Sequence, residues 1–137
     1  MSQPLFQLHP RLREDTHGVA SLELCEVLLM NESRYPWCIL VPRRDAVREI
    51  YELSVADQQQ LWQETTTVLA AMAAEFNADK MNMGALGNIV EQLHIHCIAR
   101  LRSDAAWPAP VWGKFTPEPY TPEAAAERVA RLRQILR

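Results

Sequence analysis

One stretch, Gln92-Leu93-His94-Ile95-His96-Cys97-Ile98, constrains this chain more than any other. Read as a strand, its successive side chains point to opposite faces. Leu93, Ile95 and Cys97 then offer an apolar face to a core, while Gln92, His94 and His96 line the other face. A carboxamide and two imidazoles stand side by side on a rigid element. Three chemistries fit such a pair of histidines. Neutral imidazoles two residues apart can share a metal ion, but a metal needs further ligands and no His, Asp or Glu cluster stands out to supply them. One imidazole can attack phosphorus or an acyl carbon while its neighbours stabilise charge. Histidine suits that role because its ordinary pKa of about 6.5 leaves much of it neutral at pH 7. The third option is two histidines satisfied by local hydrogen bonds. The H-x-H alone leaves all three open.

Composition narrows the partners. A chain of 137 residues with 48% hydrophobic and 23% charged residues reads as one soluble domain, residues 1–137. Its formal net charge of −3 gives no basic footprint, which argues against nucleic acid but not against nucleotides, since those need only local donors. No apolar run approaches the roughly 18 residues of a membrane span. The start, Met1-Ser2-Gln3-Pro4-Leu5, lacks the basic and apolar regions of a signal peptide, and residues 1–4 read as loose. Cys25, Cys38 and Cys97 are odd in number, lack metal-ligand spacing and sit in apolar runs, where free cysteine acts as a small hydrophobe. A reducing, cytoplasmic setting is expected, with no cofactor.

Along the chain, 6–21 reads as turns with a short helical piece, broken at His9-Pro10 and His17-Gly18, and both histidines read as surface residues. Leu22–Met30 and Cys38–Val41 read as antiparallel strands joined by the polar loop Asn31–Pro36. A short helical turn is expected within Ala46–Leu53. Ser54 then N-caps one long helix, with Asp57 three residues on. Its apolar stripe is Leu61, Thr65, Val68, Leu69, Met72 and Phe76; Gln58, Gln59, Gln63, Glu64 and Glu75 take the other side. Asn77-Ala78-Asp79 ends it. Lys80–Ala85 reads as a third strand, and Gly84 and Gly87 mark a tight connection with a close backbone approach. The fourth strand runs from about Ile89 to Leu101. The Trp- and Pro-rich stretch Trp107–Gly113 can be neither helix nor central strand, and its rings cover a cleft or a partner chain, or only cap the core. Thr121-Pro122-Glu123 starts a terminal helix. Strands, long helix, strands, helix argue for an α+β fold with an antiparallel sheet.

The H-x-H is not bare. Asn31 in the first loop, Val41-Pro42-Arg43-Arg44 at a strand end, and Asn82-x-Gly84 ahead of Gly87 and the histidine strand resemble the HIT (histidine triad) superfamily. Gln92–Ile98 matches its signature of alternating histidines and hydrophobes, and the likeness covers about 22–102. Residues 103–137, the Trp/Pro segment and terminal helix, resemble an appendage of a bacterial HIT-like subgroup. The resemblance implies a five-stranded antiparallel sheet with two helices, doubled into a homodimer. It implies nucleotide binding and chemistry at the α-phosphate through a nucleotidyl-histidine, as a phosphoanhydride or phosphoramidate hydrolase or a nucleotidyl transferase. By position His94 is the nucleophile, its tautomer held by backbone carbonyls, and His96 bonds the phosphate or leaving group. Asn31 matches the ribose-holding residue. Asn82 matches a polar position near the phosphate, and Gly87 and Asn88 belong to the nucleotide-binding loop.

Four positions depart from the family pattern. Gln92 replaces the first histidine, Ile89 a Ser or Thr, Trp37-Cys38 a Gly-His pair, and Asp45 a histidine. Gln92 can still donate a hydrogen bond but cannot carry a proton. A nucleotide-binding protein with weak or no turnover is therefore the alternative reading, and a metal-dependent hydrolase using His94 and His96 the next.

Overall fold

The computed structural model describes residues 6–137, so residues 1–4 lie outside the described residues. Helix α1 (Pro10–Asp15) leads into β1 (Thr16–Ser21), β2 (Cys25–Met30) and β3 (Trp37–Pro42). A 3₁₀ turn at Ile50–Glu52 precedes α2 (Val55–Glu75), followed by β4 (Lys80–Gly84), β5 (Ile95–Arg100) and α3 (Pro122–Ile135). The five strands form one sheet in the order β1-β2-β3-β5-β4, and every neighbouring pair is antiparallel. The α+β class holds.

The sheet separates two apolar clusters. One face packs against α2 and α3, where Val27, Leu40, Leu93, Ile95 and Cys97 meet Leu61, Val68, Met72 and Leu132. The other carries Leu28, Ile39, Val41 and Ile98 under α1 and the 106–112 segment. Burying a Leu or Met side chain of this kind stabilises by about 1.5–3 kcal/mol. Ser54 caps α2, accepting from the Asp57 N–H at 3.1 Å, and Thr121 caps α3 with Pro122 in its first turn. Asn77 closes α2 at φ 49°, a left-handed position that asparagine tolerates.

The sequence reading needs correction in several places. Thr16–Ser21, read as turns, is a strand on the sheet edge, and Gly18, read as a breaker, sits at its register shift. β2 starts at Cys25 rather than Leu22, because the Glu64 carboxylate takes the Leu24 and Cys25 N–H groups at 2.8 and 2.9 Å. Glu64, assigned to the solvent side of α2, is therefore buried. The histidine strand begins at Ile95, not Ile89. Residues 85–90 loop out through Gly87 at φ 75°, and the Leu93 N–H bonds the Val47 carbonyl at 2.9 Å instead of a neighbouring strand. The close approach expected near Gly84 is real, but it is made by this chain itself. A Cβ on Gly84 would meet the Trp112 ring at 3.2 Å.

Candidate active site

A cleft of about 300 Å³ opens on the sheet face under α1. Leu12, Met30 and Ile39 give it an apolar wall, the 86–90 loop forms a rim, and His94 and His96 lie at the end shared with Trp112. Both histidines are buried, 7% and 8% exposed, with ring centroids 5.0 Å apart and planes crossed at 68°. His96 is held by β5, and its partner across the ladder on β3 is Ile39. His94 sits one residue before β5, yet the alternation persists. Leu93, Ile95 and Cys97 enter the helix-side core and the two imidazoles face the cleft.

Hydrogen bonding distinguishes the two rings. His94 Nδ1 lies 2.6 Å from the Gln92 carbonyl oxygen. A carbonyl only accepts, so Nδ1 carries the proton and Nε2 of the neutral ring is a bare lone pair. His96 Nδ1 lies 3.0 Å from the indole N–H of Trp37. An indole only donates, so this Nδ1 is bare and the proton sits on Nε2. One ring thus offers a nucleophilic lone pair and the other an N–H donor. Burial, with the neighbouring His94 adding to it, lowers His96 from its ordinary value to about 4 and keeps it neutral at physiological pH. Trp112 packs edge-on against His96 at 5.7 Å and completes the wall.

The structure brings together His94, His96, Gly87 and Asn88. It turns the Gln92 side chain away, contrary to the single-face reading. The Gln92 carboxamide accepts from the His9 N–H at 2.8 Å and donates to the Gln7 carbonyl at 3.0 Å, tying down the segment ahead of α1. Gln92 therefore meets His94 through its carbonyl alone. Asn31 Oδ1 accepts from the Tyr120 N–H at 3.0 Å and lies 3.2 Å from His17 Nε2. Asn82 Oδ1 accepts from Arg100 at 2.9 Å. Neither asparagine lines the cleft. His9 and His17, read as surface residues, are half-buried, and His9 caps α1 by accepting from the Arg11 N–H at 3.1 Å.

Two functional contributors were missed in the sequence. Trp37 registered only as the loss of a Gly-His pair, although its indole sets the His96 tautomer. The α1 residues Arg11, Leu12 and Asp15 line the cleft but fall in a stretch without periodicity. The cysteines are not competing nucleophiles. All three are buried and unpaired, and burial drives their thiols upward, Cys97 to about 12. Among the described residues no group of three or more His, Cys, Asp or Glu side chains is placed to hold a metal ion.

Comparison with known proteins places this geometry. The model of the HIT domain matches residues 11–103. A histidine triad protein from Marinobacter aquaeolei shares 51% identity over 97% of each chain with a TM-score of 0.94. One from Bradyrhizobium japonicum shares 42% identity over 98% of this chain and 100% of its own, at 0.94. A third, from Sinorhizobium meliloti, shares 45% over 94% and 96%, at 0.92. No curated protein matches the chain.

Proposed function

The chain belongs to the HIT domain family, and from that premise we propose that it acts on nucleotides at the α-phosphate, as a phosphoanhydride or phosphoramidate hydrolase or a nucleotidyl transferase. One observation carries the reading. The two imidazoles hold opposite tautomers, so a bare Nε2 on His94 stands beside an Nε2–H on His96 at one end of a nucleotide-sized cleft.

In this reading His94 Nε2 forms a bond to phosphorus as the bond to the leaving group breaks, and the leaving group takes a proton from solvent. Water or another acceptor then attacks the phosphorus, releases His94 and gives up its own proton. His96 donates to a phosphate oxygen, where charge develops. The Gly87–Asn88 loop borders the phosphate, while Leu12, Met30 and Ile39 receive the nucleoside. Asn31 and Asn82 enter this reading through their match to the family pattern alone, because neither lines the cleft and each Oδ1 is engaged within the chain.

The test is incubation with a dinucleoside polyphosphate and a nucleoside phosphoramidate. The expected results are nucleoside monophosphate and an acid-labile nucleotidyl adduct at His94 by mass spectrometry. Nucleotide binding with neither product nor adduct would establish the alternative, a binding protein. Ile89 favours that alternative to a degree, since it brings no hydroxyl to the rim.

The same reading makes the protein a homodimer. β4 is an open edge, and its own Met83 and Trp62 of α2 are 45% and 60% exposed. A neighbouring copy would cover this edge and both side chains. Sedimentation should give twice the 15.7 kDa chain mass, and Trp62→Glu should shift it towards the monomer. A monomeric wild type would end the proposal. No helix among the described residues is long and apolar enough to cross a membrane. The unpaired cysteines fit a reducing cytoplasm.

A further inference from the structure

Three anchors converge on one peptide group, the one between Gln92 and Leu93. Its carbonyl accepts from His94 Nδ1 at 2.6 Å. Its N–H donates to the Val47 carbonyl at 2.9 Å. Val47 follows Ala46 at φ 56°, a left-handed conformation that a non-glycine residue adopts at a cost, so the surrounding fold holds that turn against its own preference. The third anchor is the Gln92 side chain. Its Oε1 accepts from the His9 N–H at 2.8 Å and its Nε2 donates to the Gln7 carbonyl at 3.0 Å, partners 83 and 85 residues away in sequence. The position calls for one acceptor and one donor. A carboxamide supplies both, whereas a carboxylate supplies the acceptor alone.

What Gln92 grips is the roof of the cleft. His9, bonded to Gln92 through its N–H, caps α1 with its ring and accepts from the Arg13 N–H at 3.0 Å through its carbonyl. α1 has six residues, too few to hold a helix by themselves, so its seat depends on tertiary contacts. Two of these stand out: Leu12 in the apolar cluster and the tether to Gln92. Leu12 is also part of the cleft's apolar wall. One residue therefore meets the roof with its side chain and the His94 ring with its carbonyl.

We propose that Gln92 is a positioning residue that couples the seat of α1 to the alignment of His94. Its side chain, bound to the segment ahead of α1, fixes the orientation of its own carbonyl, and the carbonyl fixes the imidazole and its tautomer. The residue that departs from the family signature thereby keeps a part in the site without lining the cleft. A nucleoside resting on Leu12 steadies the roof, and the same chain of bonds steadies His94. The effect on turnover rests on His94 as the nucleophile. The mechanical link does not.

The experiment reads the ¹⁵N signals of the His94 ring, identified by their absence in His94→Gln, together with turnover of adenosine 5′-phosphoramidate. Gln92→Met keeps the length of the side chain and removes both bonds, and Gln92→Glu is the milder variant that removes only the donor. In the wild type the ring should be almost wholly the Nδ1–H tautomer. Gln92→Met should move it towards a mixture of the two, with Gln92→Glu between. The kcat should fall roughly twentyfold in Gln92→Met and about fivefold in Gln92→Glu, the usual worth of two and of one neutral hydrogen bond, with KM rising less. A double-mutant cycle tests the coupling. Leu12→Ala, which loosens α1 from its other contact, should move the His94 signals when Gln92 is present and add nothing in Gln92→Met. A ring unchanged by Gln92→Met overturns the proposal, and a rise in KM alone would make Gln92 only a holder of the roof. An equal effect of Leu12→Ala in both backgrounds overturns the coupling. A ring that responds to Gln92→Met in a protein that turns over no nucleotide keeps the link and removes the catalytic reading instead.

Discussion

If His94 attacks phosphorus as proposed, replacing it by alanine should lower nucleotide turnover by on the order of 10⁴-fold or more, because the change removes the bonding atom. The same change should leave nucleotide affinity within a few fold, since the apolar wall and the 86–90 loop remain. His96→Ala is the informative contrast. In the proposed mechanism it deletes a donor to developing charge, not the nucleophile, and losses of that kind are typically about 10²–10³-fold. Single-turnover rates and equilibrium binding on the two variants check the difference, and equal losses would count against the division of roles. The pH profile carries a second signature. Because burial and His94 depress His96 to about 4, its Nε2–H is present unchanged through neutrality, and its protonation should not shape the rate until pH approaches that value. Protonation there must place a hydrogen on Nδ1, against the Trp37 N–H at 3.0 Å. Trp37→Phe should therefore move the acid limb upward and free the tautomer, which ¹⁵N shifts of His96 report.

Those roles divide along a line that the sequence showed only in part. A one-faced apolar stripe made α2 and α3 legible, while β2 and β3, buried on both faces, were legible as short apolar runs bounded by polar loops. β1 was not, since Thr16–Ser21 buries only Val19 and contains a glycine, as an edge strand can. The alternation from Gln92 to His96 correctly placed both imidazoles on one side and their apolar neighbours in the core. It failed at Gln92, because no pattern of residue types reveals that the Leu93 N–H leaves the ladder for Val47 and that Gln7 and His9 claim the carboxamide. Glu64 failed differently. A carboxylate next to the apolar stripe reads as solvent-facing unless two orphan N–H groups are known to wait at the start of β2. Trp37 is the sharpest case, for its value lies in one indole proton, visible only once the register sets Trp37 opposite Ile98 and diagonal to His96.

The largest loss of stability should come from Asp104→Ala. Arg100 is almost wholly buried, its side chain 1% exposed and that of Asp104 6%. The guanidinium donates to both Asp104 oxygens at 2.8 and 3.0 Å and to Asn82 at 2.9 Å, between the Tyr35 and Trp107 rings. Asp104 also accepts from the N–H groups of Leu101, Ala106 and Trp107 at 3.1, 3.2 and 2.8 Å. Removing the carboxylate leaves a buried cation without its counter-charge, which costs about 3–5 kcal/mol and lowers Tm by on the order of 10–20 °C. Arg100→Met added to Asp104→Ala should recover part of this, and the residue unrecovered measures the three backbone bonds. Acid should act in the same direction. Burial alone would raise the Asp104 carboxyl, but bonds from Arg100, Leu101 and Trp107 outweigh it and hold the group below the usual range. A depressed carboxyl contributes stability that is complete above the unfolded value, about 3.9, and is lost as pH falls through the lower folded one. The gap between wild type and Asp104→Ala should thus be widest near neutrality and close below pH of about 4, as denaturation at several pH values would show. An unchanging gap would mean that the backbone bonds, not the ion pair, are what Asp104 contributes. The consequence reaches the cleft, because this turn sets the path of the chain from Asp104 to Trp112. Loosened there, the Trp112 ring loses its seat on Gly84 and against His96, so Asp104→Ala should weaken the near-ultraviolet circular dichroism of the tryptophans at temperatures where the helices remain intact.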